Sequence, residues 1–478
     1  MSGDMRHILV CGSGLAAQMA VAALSHQLPD EVRITLLETG DTGDSDLFYG
    51  TVTGPSAYAF NLAAGVEEPA LVLSSDTAFS WGTRYAAWGQ DHAWTQCFAL
   101  PLPVLDGVMF HQYLAAAGET AIEPYLIAAT AAARGAFAHP PREPGGAKPH
   151  PLSRADYGYQ FDPAAYARLF AAARMAGRVT AVTGELAGVD LRHEGIAAVR
   201  LIDGRTLDAD LYVDCTGPQA SLLSSLSPDW VGDRRIAITV SDGDAATPDR
   251  PFRSVHATAH GWDSVTSLKG RTRHVGVCDP VDAADAATVT LGRRHHAWAG
   301  NCVGVGHAAG ILEPITPAPV MLLERDIDRL LSLIPPSGDM AVERREYNRR
   351  HDDDHAHAAL FNRALFATTG LPDAPYWQAA RREPLPEKLA RKLALFASRG
   401  VLVGYDLEPF HPEDWVVLHL GLGRQPQRHD RLADRASPAR VNQYLSAMKR
   451  EIEQTVATMP ESGRYRAQLE RYLQRARR

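Results

Sequence analysis

The amino-acid sequence predicts an α/β protein: a Rossmann-like nucleotide-binding domain, an added β-sheet, and a largely helical carboxy-terminal domain. Three observations predict it. His7 to Cys11 reads as a short buried strand, Leu15 to Leu24 as an Ala-rich helix, and Arg33 to Leu37 as a second strand, giving a β-α-β unit. A glycine turn, Gly12-Ser13-Gly14, sits between the first strand and the helix. From Leu322 onward, after a middle region of strands, the chain reads as mostly helical to its end.

The turn carries the first functional signal. Gly12-Ser13-Gly14-Leu15-Ala16-Ala17 fits the pattern G-x-G-x-x-G/A. The first glycine allows a tight turn, and the second lets the backbone approach a pyrophosphate. A small third residue, here Ala17, lets helix and strand pack. The helix amino terminus then favours phosphate charge. Glu38, after the second strand, is placed to accept from ribose hydroxyls.

Residues 40–60 are polar and turn-rich and are expected to form a loop. The stretch from His139 to Pro151 holds too many prolines and glycines for regular structure and reads as a surface connection. Asp162 to Met175 has the pattern of an amphipathic helix. Val179–Arg192, Ile196–Leu201 and Thr206–Val213 read as strands, with Asp203-Gly204 as a hairpin turn. Arg235–Val240 and Phe252–Cys278 are also strand-like and are expected to add a sheet on the substrate side. Asp210 to Gly217 reads as a strand ending in a glycine turn, and Gly300 to Gly310 as a second small-residue stretch. Three such segments in this order favour FAD over NAD alone.

The bulk properties fit a globular protein: 478 residues, 45% hydrophobic and 22% charged. A net charge of −8 argues against nucleic-acid binding. The five cysteines (Cys11, Cys97, Cys215, Cys278, Cys302) lack metal-like pairing and suggest a reducing compartment. Gly12 and Gly14 interrupt the apolar run from Ile8 to Leu24, which argues against a signal peptide, and no stretch is apolar enough for a membrane span. A cytoplasmic protein is expected. His351, His355 and His357 lie among Asp352, Asp353 and Asp354; the expectation is a solvated, charged helix face and no metal. The basic residues Arg464, Arg466, Arg471, Arg475, Arg477 and Arg478 read as a solvated helix end.

Further segments carry a family resemblance. Asp214-Cys215-Thr216-Gly217 and the run from Asn301 to Pro314 (N-C-V-G-V-G-H-A-A-G-I-L-E-P) do so, with Tyr159-Gln160-Phe161-Asp162 through Tyr166-Ala167. So do Leu385 to Lys392, Asp414-Trp415 and Leu420 to Gly423. In order and spacing the chain resembles the flavin-dependent tryptophan halogenases over nearly its whole length. The resemblance implies an FAD-binding box-like domain over residues 1–330, with substrate-side insertions at about 60–150 and 235–295, and a mainly helical domain over 331–478. It implies reduced FAD supplied by a separate flavin reductase. It also implies a small aromatic substrate, oxidation of chloride or bromide to hypohalous acid, and passage of that oxidant to a lysine beside the substrate. A glutamate there helps remove the ring proton. The cofactor-side positions implied are Gly12, Ser13, Gly14, Leu15, Ala16, Ala17, Glu38, Thr51, Asp214, Gly217, Gly306 and Gly310.

The departures from that pattern fall on its chemistry. The lysine segment reads Phe79-Ser80-Trp81-Gly82-Thr83-Arg84-Tyr85, with Ser80 at the lysine position. A hydroxyl can neither form a haloamine nor carry a positive charge. The family's E-P-L-E-S-T-G reads Glu313-Pro314-Ile315-Thr316-Pro317-Ala318-Pro319, with Thr316 at the glutamate and Pro319, which has no N–H, at the glycine. W-x-W-x-I-P reads Trp262 to Ser267, and G-E-x-T reads Gly50-Thr51-Val52-Thr53. Ser80, Thr316 and His307 are the candidate catalytic positions. Three functions remain open: a flavin-dependent monooxygenase-type enzyme on an aromatic or indole-type substrate, a catalytically reduced subunit paired with an active halogenase homologue, or a halogenase with substitute residues; a homo- or hetero-oligomer is expected.

Overall fold

The computed structural model describes residues 5–40, 43–74, 76–98, 102–141, 150–193, 195–245, 249–335, 340–382 and 384–476. Most of the connection expected at His139 to Pro151 lies outside them, as do Arg477 and Arg478. The chain forms two compact units, each assembled from three segments. The first comprises residues 1–76, 161–239 and 280–357; the second comprises 77–160, 240–279 and 358–478.

The first unit is built on the predicted β-α-β motif. Strand His7–Cys11 runs parallel to Arg33–Glu38 on one side and to Leu211–Asp214 on the other. Val179–Thr183 extends the sheet beyond the second strand, and Cys302–Gly304 beyond Leu211–Asp214. The strands between are buried on both faces: helix Leu15–Gln27 covers one, and strand Gly195–Leu201 packs through Ile196, Val199 and Leu201 on the other. Helix Leu15–Gln27 is almost wholly buried, which its Ala-rich sequence permits. Helix Pro163–Ala173 packs on it. Asp162 caps that helix by accepting from Ala165 N, and the proline fixes its first turn.

The predicted strand from Val179 to Arg192 is two strands, Val179–Thr183 and Leu186–Arg192. The first joins the parallel sheet; the second pairs with Gly195–Leu201 in a small antiparallel sheet. The predicted strand from Thr206 to Val213 is also divided. Asp210 breaks it, because its carboxylate accepts from Arg6 N and His7 N and so starts the first strand's pairing. The expected loop at 40–60 contains a 3-10 helix, Gly43–Tyr49, and a helix, Ser56–Ala63.

The second unit holds an antiparallel meander, Arg253–Thr258, Gly261–Leu268 and Arg271–Cys278, within the predicted strand-like stretch. Strand Gly82–Ala86 joins it in parallel, followed by Trp94–Cys97. Gln160 ties its layers, donating to Phe79 O and Arg250 O and accepting from Ser267 N. Most of the remainder is helical, apart from short strands such as Thr77–Ser80 and the pair Val104–Leu105 with Val108–Met109. Arg466, expected on a solvated helix end, is instead buried and donates to Thr77 O and to Glu470. No helix among the described residues is long and apolar enough to cross a membrane.

In the first unit, Asp214 holds a turn together. One carboxylate oxygen accepts from Thr216 N and Thr216 Oγ1 at 2.9 and 2.7 Å, the other from Leu222 N and Leu223 N at 2.8 and 2.7 Å. Asp214→Ala strands several buried donors and should destabilise this unit by on the order of 4 kcal/mol. Chemical denaturation followed by circular dichroism reads the loss; a variant within about 1 kcal/mol of wild type, on the order of a single surface contact, contradicts a structural role for this carboxylate.

Candidate functional site

The first unit gathers the candidate cofactor positions at the carboxyl ends of its parallel strands, where α/β sheets open a crevice. Gly12 follows Cys11, Glu38 ends the second strand, Gly217 follows Asp214, and Gly306 follows Gly304. Gly12 has φ +141°, and a Cβ there would lie 2.3 Å from Cys215 O, so the turn passes against the neighbouring strand end. Gly12 N donates to Leu37 O at 3.0 Å, which ties in the second strand.

Gly14 caps the helix without a side-chain bond. Ala16 and Ala17 are buried beneath it. Ser13 Oγ is shielded from solvent with no hydrogen-bond partner among the described residues. Leu15 N donates to Asp46 Oδ2 at 2.8 Å. Gly217 sits beside the same loop: a Cβ there would lie 3.4 Å from Ser45 Oγ. Asp214 spends its carboxylate on the turn described above, so it shapes this crevice rather than offering it an open acceptor.

The Gly306 region is packed from within. Gly306 has φ +62°, and a Cβ would meet Tyr49 Oη at 2.1 Å. Tyr49 Oη accepts from His307 N at 3.0 Å, and the two rings stack 3.6 Å apart. Gly306 N donates to Asp326 Oδ2 at 3.2 Å. Asp326 in turn pairs with Arg329 at 2.8 Å and His351 at 3.1 Å. Burial pulls His307 down to about 3. Its imidazole is therefore neutral at physiological pH and serves as a polar, uncharged ring.

Gly310 is small for a similar reason: a Cβ would lie 2.9 Å from His355 Cδ2. His351 and His355, expected on a solvated face, are buried. Both lie on the part of helix Ala341–Phe366 that belongs to this unit, and burial lowers His355 to about 3. Among the described residues no three histidine, cysteine, aspartate or glutamate side chains are grouped to hold a metal. Thr51 is buried, and its carbonyl accepts from Phe161 N.

Thr316 lies at the start of helix Ala318–Leu333, where its Oγ1 accepts from Ala318 N at 3.3 Å. The nearby carboxylate, Glu313, is ion-paired with Arg234 at 2.6 Å. In the second unit, Ser80 is completely buried. Its hydroxyl donates to Gly82 O at 3.1 Å and accepts from Gly82 N at 3.2 Å, closing a local turn between two strands. Its neighbours are committed as well: Phe79 stacks on Phe137 at 4.4 Å, and Trp81 Nε1 donates to Ala136 O. Trp262 and Ser267 lie in one regular strand paired along its length with Arg271–Cys278.

Two polar residues escaped the sequence reading. Asp46 stood in an apparent loop, with no motif to single it out. Glu324 stood in a helix whose apolar periodicity gave no reason to expect a buried acid. Ser56 Oγ donates to Glu324 Oε2 at 2.6 Å, and burial pushes the Glu324 carboxyl up to about 8.

The tryptophan halogenase family model matches residues 7–287 and 277–438. The chain is 24% identical to the tryptophan 7-halogenase KtzQ of Kutzneria sp. (strain 744), covering 96% of this chain and 98% of that protein. It is 24% identical to the tryptophan 7-halogenase RebH of Lentzea aerocolonigenes, covering 83% and 82%. The solved structure of BrvH, a flavin-dependent halogenase from Brevundimonas sp. BAL3, superposes with a TM-score of 0.87 at 25% identity, covering 97% of this chain and 99% of that one.

The Glu324 carboxyl titrates near 8 in the fold against an ordinary value of 4.5. The folded protein therefore binds the extra proton between those values. The stability this confers is full below about pH 4.5 and is lost as pH rises through 8. Relative to Glu324→Gln, the wild type should lose up to roughly 5 kcal/mol across that window. Urea midpoints of both proteins from pH 5 to 9 test it; parallel curves contradict a protonated Glu324.

Proposed function

The chain belongs to the tryptophan halogenase family, and from that premise we propose that it oxidises an aromatic, indole-type substrate with reduced FAD and O2, without halogenating through a side-chain amine. Its cofactor is FAD, which in this family a separate flavin reductase supplies in reduced form. The residues of the first unit fit that group. Gly12 and Gly14 leave the strand-to-helix turn free of side chains, Ser13 Oγ is a buried polar atom with no partner among the described residues, and Glu38 ends the second strand. Bound there, the cofactor would supply the two electrons that activate oxygen.

The observation that carries the reading is Ser80. Its hydroxyl is buried and closed on Gly82, so it offers no amine, charge or free donor where the family pattern has lysine. Thr316 and Pro319 agree with it, since one is no base at neutral pH and the other has no N–H. The nearest acid in sequence, Glu313, already neutralises Arg234. An oxygen transfer needs none of these groups. One atom of O2 enters the substrate in place of hydrogen, the other leaves as water, and reduced flavin provides two electrons. His307 would contribute a neutral ring, not a proton donor of high acidity.

The test is incubation with a flavin reductase, NADH, FAD, bromide and tryptophan or indole under labelled oxygen. Mass spectrometry should find product carrying one labelled oxygen and no bromine. A brominated product overturns the proposal and returns the chain to halogenation by substitute residues.

A further inference from the structure

The sequence that follows the second strand is rich in acids and poor in bases. Between Arg33 and Arg84 the sequence contains no lysine, arginine or histidine, while Glu38, Asp41, Asp44 and Asp46 follow one another closely. One of these carboxylates reaches the helix. Asp46 Oδ2 accepts from Leu15 N, the first amide of helix Leu15–Gln27, at 2.8 Å.

That amide is one of the few donors the turn can offer. The first N–H groups of a helix have no partner within it and carry its partial positive charge, which makes them the natural seat for a phosphate. A carboxylate on Leu15 N satisfies the donor and cancels part of that charge. Beside it, Ser13 Oγ is shielded and has no partner among the described residues, as expected of a group that awaits a ligand oxygen. The turn thus holds one donor taken by the chain's own anion and one polar atom left open.

We propose that Asp46 is a built-in competitor for the FAD phosphates: its carboxylate holds the first amide of the phosphate-binding helix and must leave before the cofactor seats. This rests on the flavin reading above. Two consequences follow from the geometry. FAD affinity is held below what the turn would otherwise give, because binding must break the Asp46 bond and seat a phosphate beside a carboxylate. Displacement of Asp46 also acts on the Gly306–His307 turn. Asp46 and Tyr49 share the 3-10 helix Gly43–Tyr49, and Tyr49 stacks on His307 and accepts its backbone N–H. The cofactor phosphates and the His307 ring are therefore linked through one short element. A chain that takes its flavin from a separate reductase gains from such a release device.

The experiment titrates oxidised FAD into the full-length wild type, Asp46→Ala and Asp46→Asn, following flavin fluorescence, with thermal melts of each protein with and without FAD. Asp46→Ala should bind FAD about tenfold more tightly, the equivalent of one charged contact removed. The same variant should melt lower without FAD, having lost a helix cap, yet show a larger FAD-induced rise. Asp46→Asn, which keeps the acceptor oxygen without its charge, should also bind more tightly and serves if the alanine variant does not fold. Wild-type binding with equal or weaker binding by the variants overturns the competitor role and leaves the flavin reading standing. Absence of FAD binding by all three proteins overturns the flavin reading and this inference together.

Discussion

The nucleotide-binding unit depends on one close approach. The Gly12 backbone passes so near Cys215 O that no side chain fits between them. This contact lets the turn after the first strand lie against the end of the strand beside it. Without it, the helix Leu15–Gln27 could not start where it does, and the crevice between strand ends would fill. Around that contact, polar bonds do the remaining fixing. Gly12 N is held by Leu37 O, and Asp214 gathers the Thr216–Leu223 turn with four bonds. Such a carboxylate, with both oxygens engaged, is worth more than its neighbours because it satisfies donors that could not otherwise reach water.

The same unit shows how one network serves shape at two places. Asp326 binds Gly306 N and is itself held by Arg329 and His351, so the helix Ala341–Phe366 positions the Gly306 turn from behind. Tyr49 holds that turn from the other side through His307. The histidines that looked like a solvated face are the inner end of this arrangement. Their burial keeps His355 neutral and leaves Asp326 as the charged group, paired with Arg329. A buried ion pair of this kind tolerates no single deletion, because the partner left behind has no water to turn to.

The first strands, the glycine turn and the strand-like character of the central stretch were legible because their signals are local: period and turn residues. The division of Val179–Arg192 was not, since its two halves serve different sheets and only tertiary pairing decides that. Site residues divided the same way. Gly12 declares itself by its motif, whereas Asp46 and Glu324 matter only because folding brings Leu15 N and Ser56 to them. Arg466 likewise reads as one more basic residue until folding sets its guanidinium on Thr77 O. The family resemblance supplied what local pattern could not, namely which substitutions bear on the chemistry.

Those substitutions share a physical character. Lysine and glutamate at a site are costly groups, kept only where a cavity, a partner or water stabilises their charge. Here each position holds a residue that closes on itself. Ser80 bonds within its own turn, Thr316 Oγ1 accepts from Ala318 N two residues on, and Pro319 stiffens the first turn of the helix that follows. Glu313 retains a carboxylate, and Arg234 neutralises it. In each unit these side chains are satisfied close at hand, and the oxygen-transfer reading proposed above asks of them only the placement of a substrate and a reduced flavin.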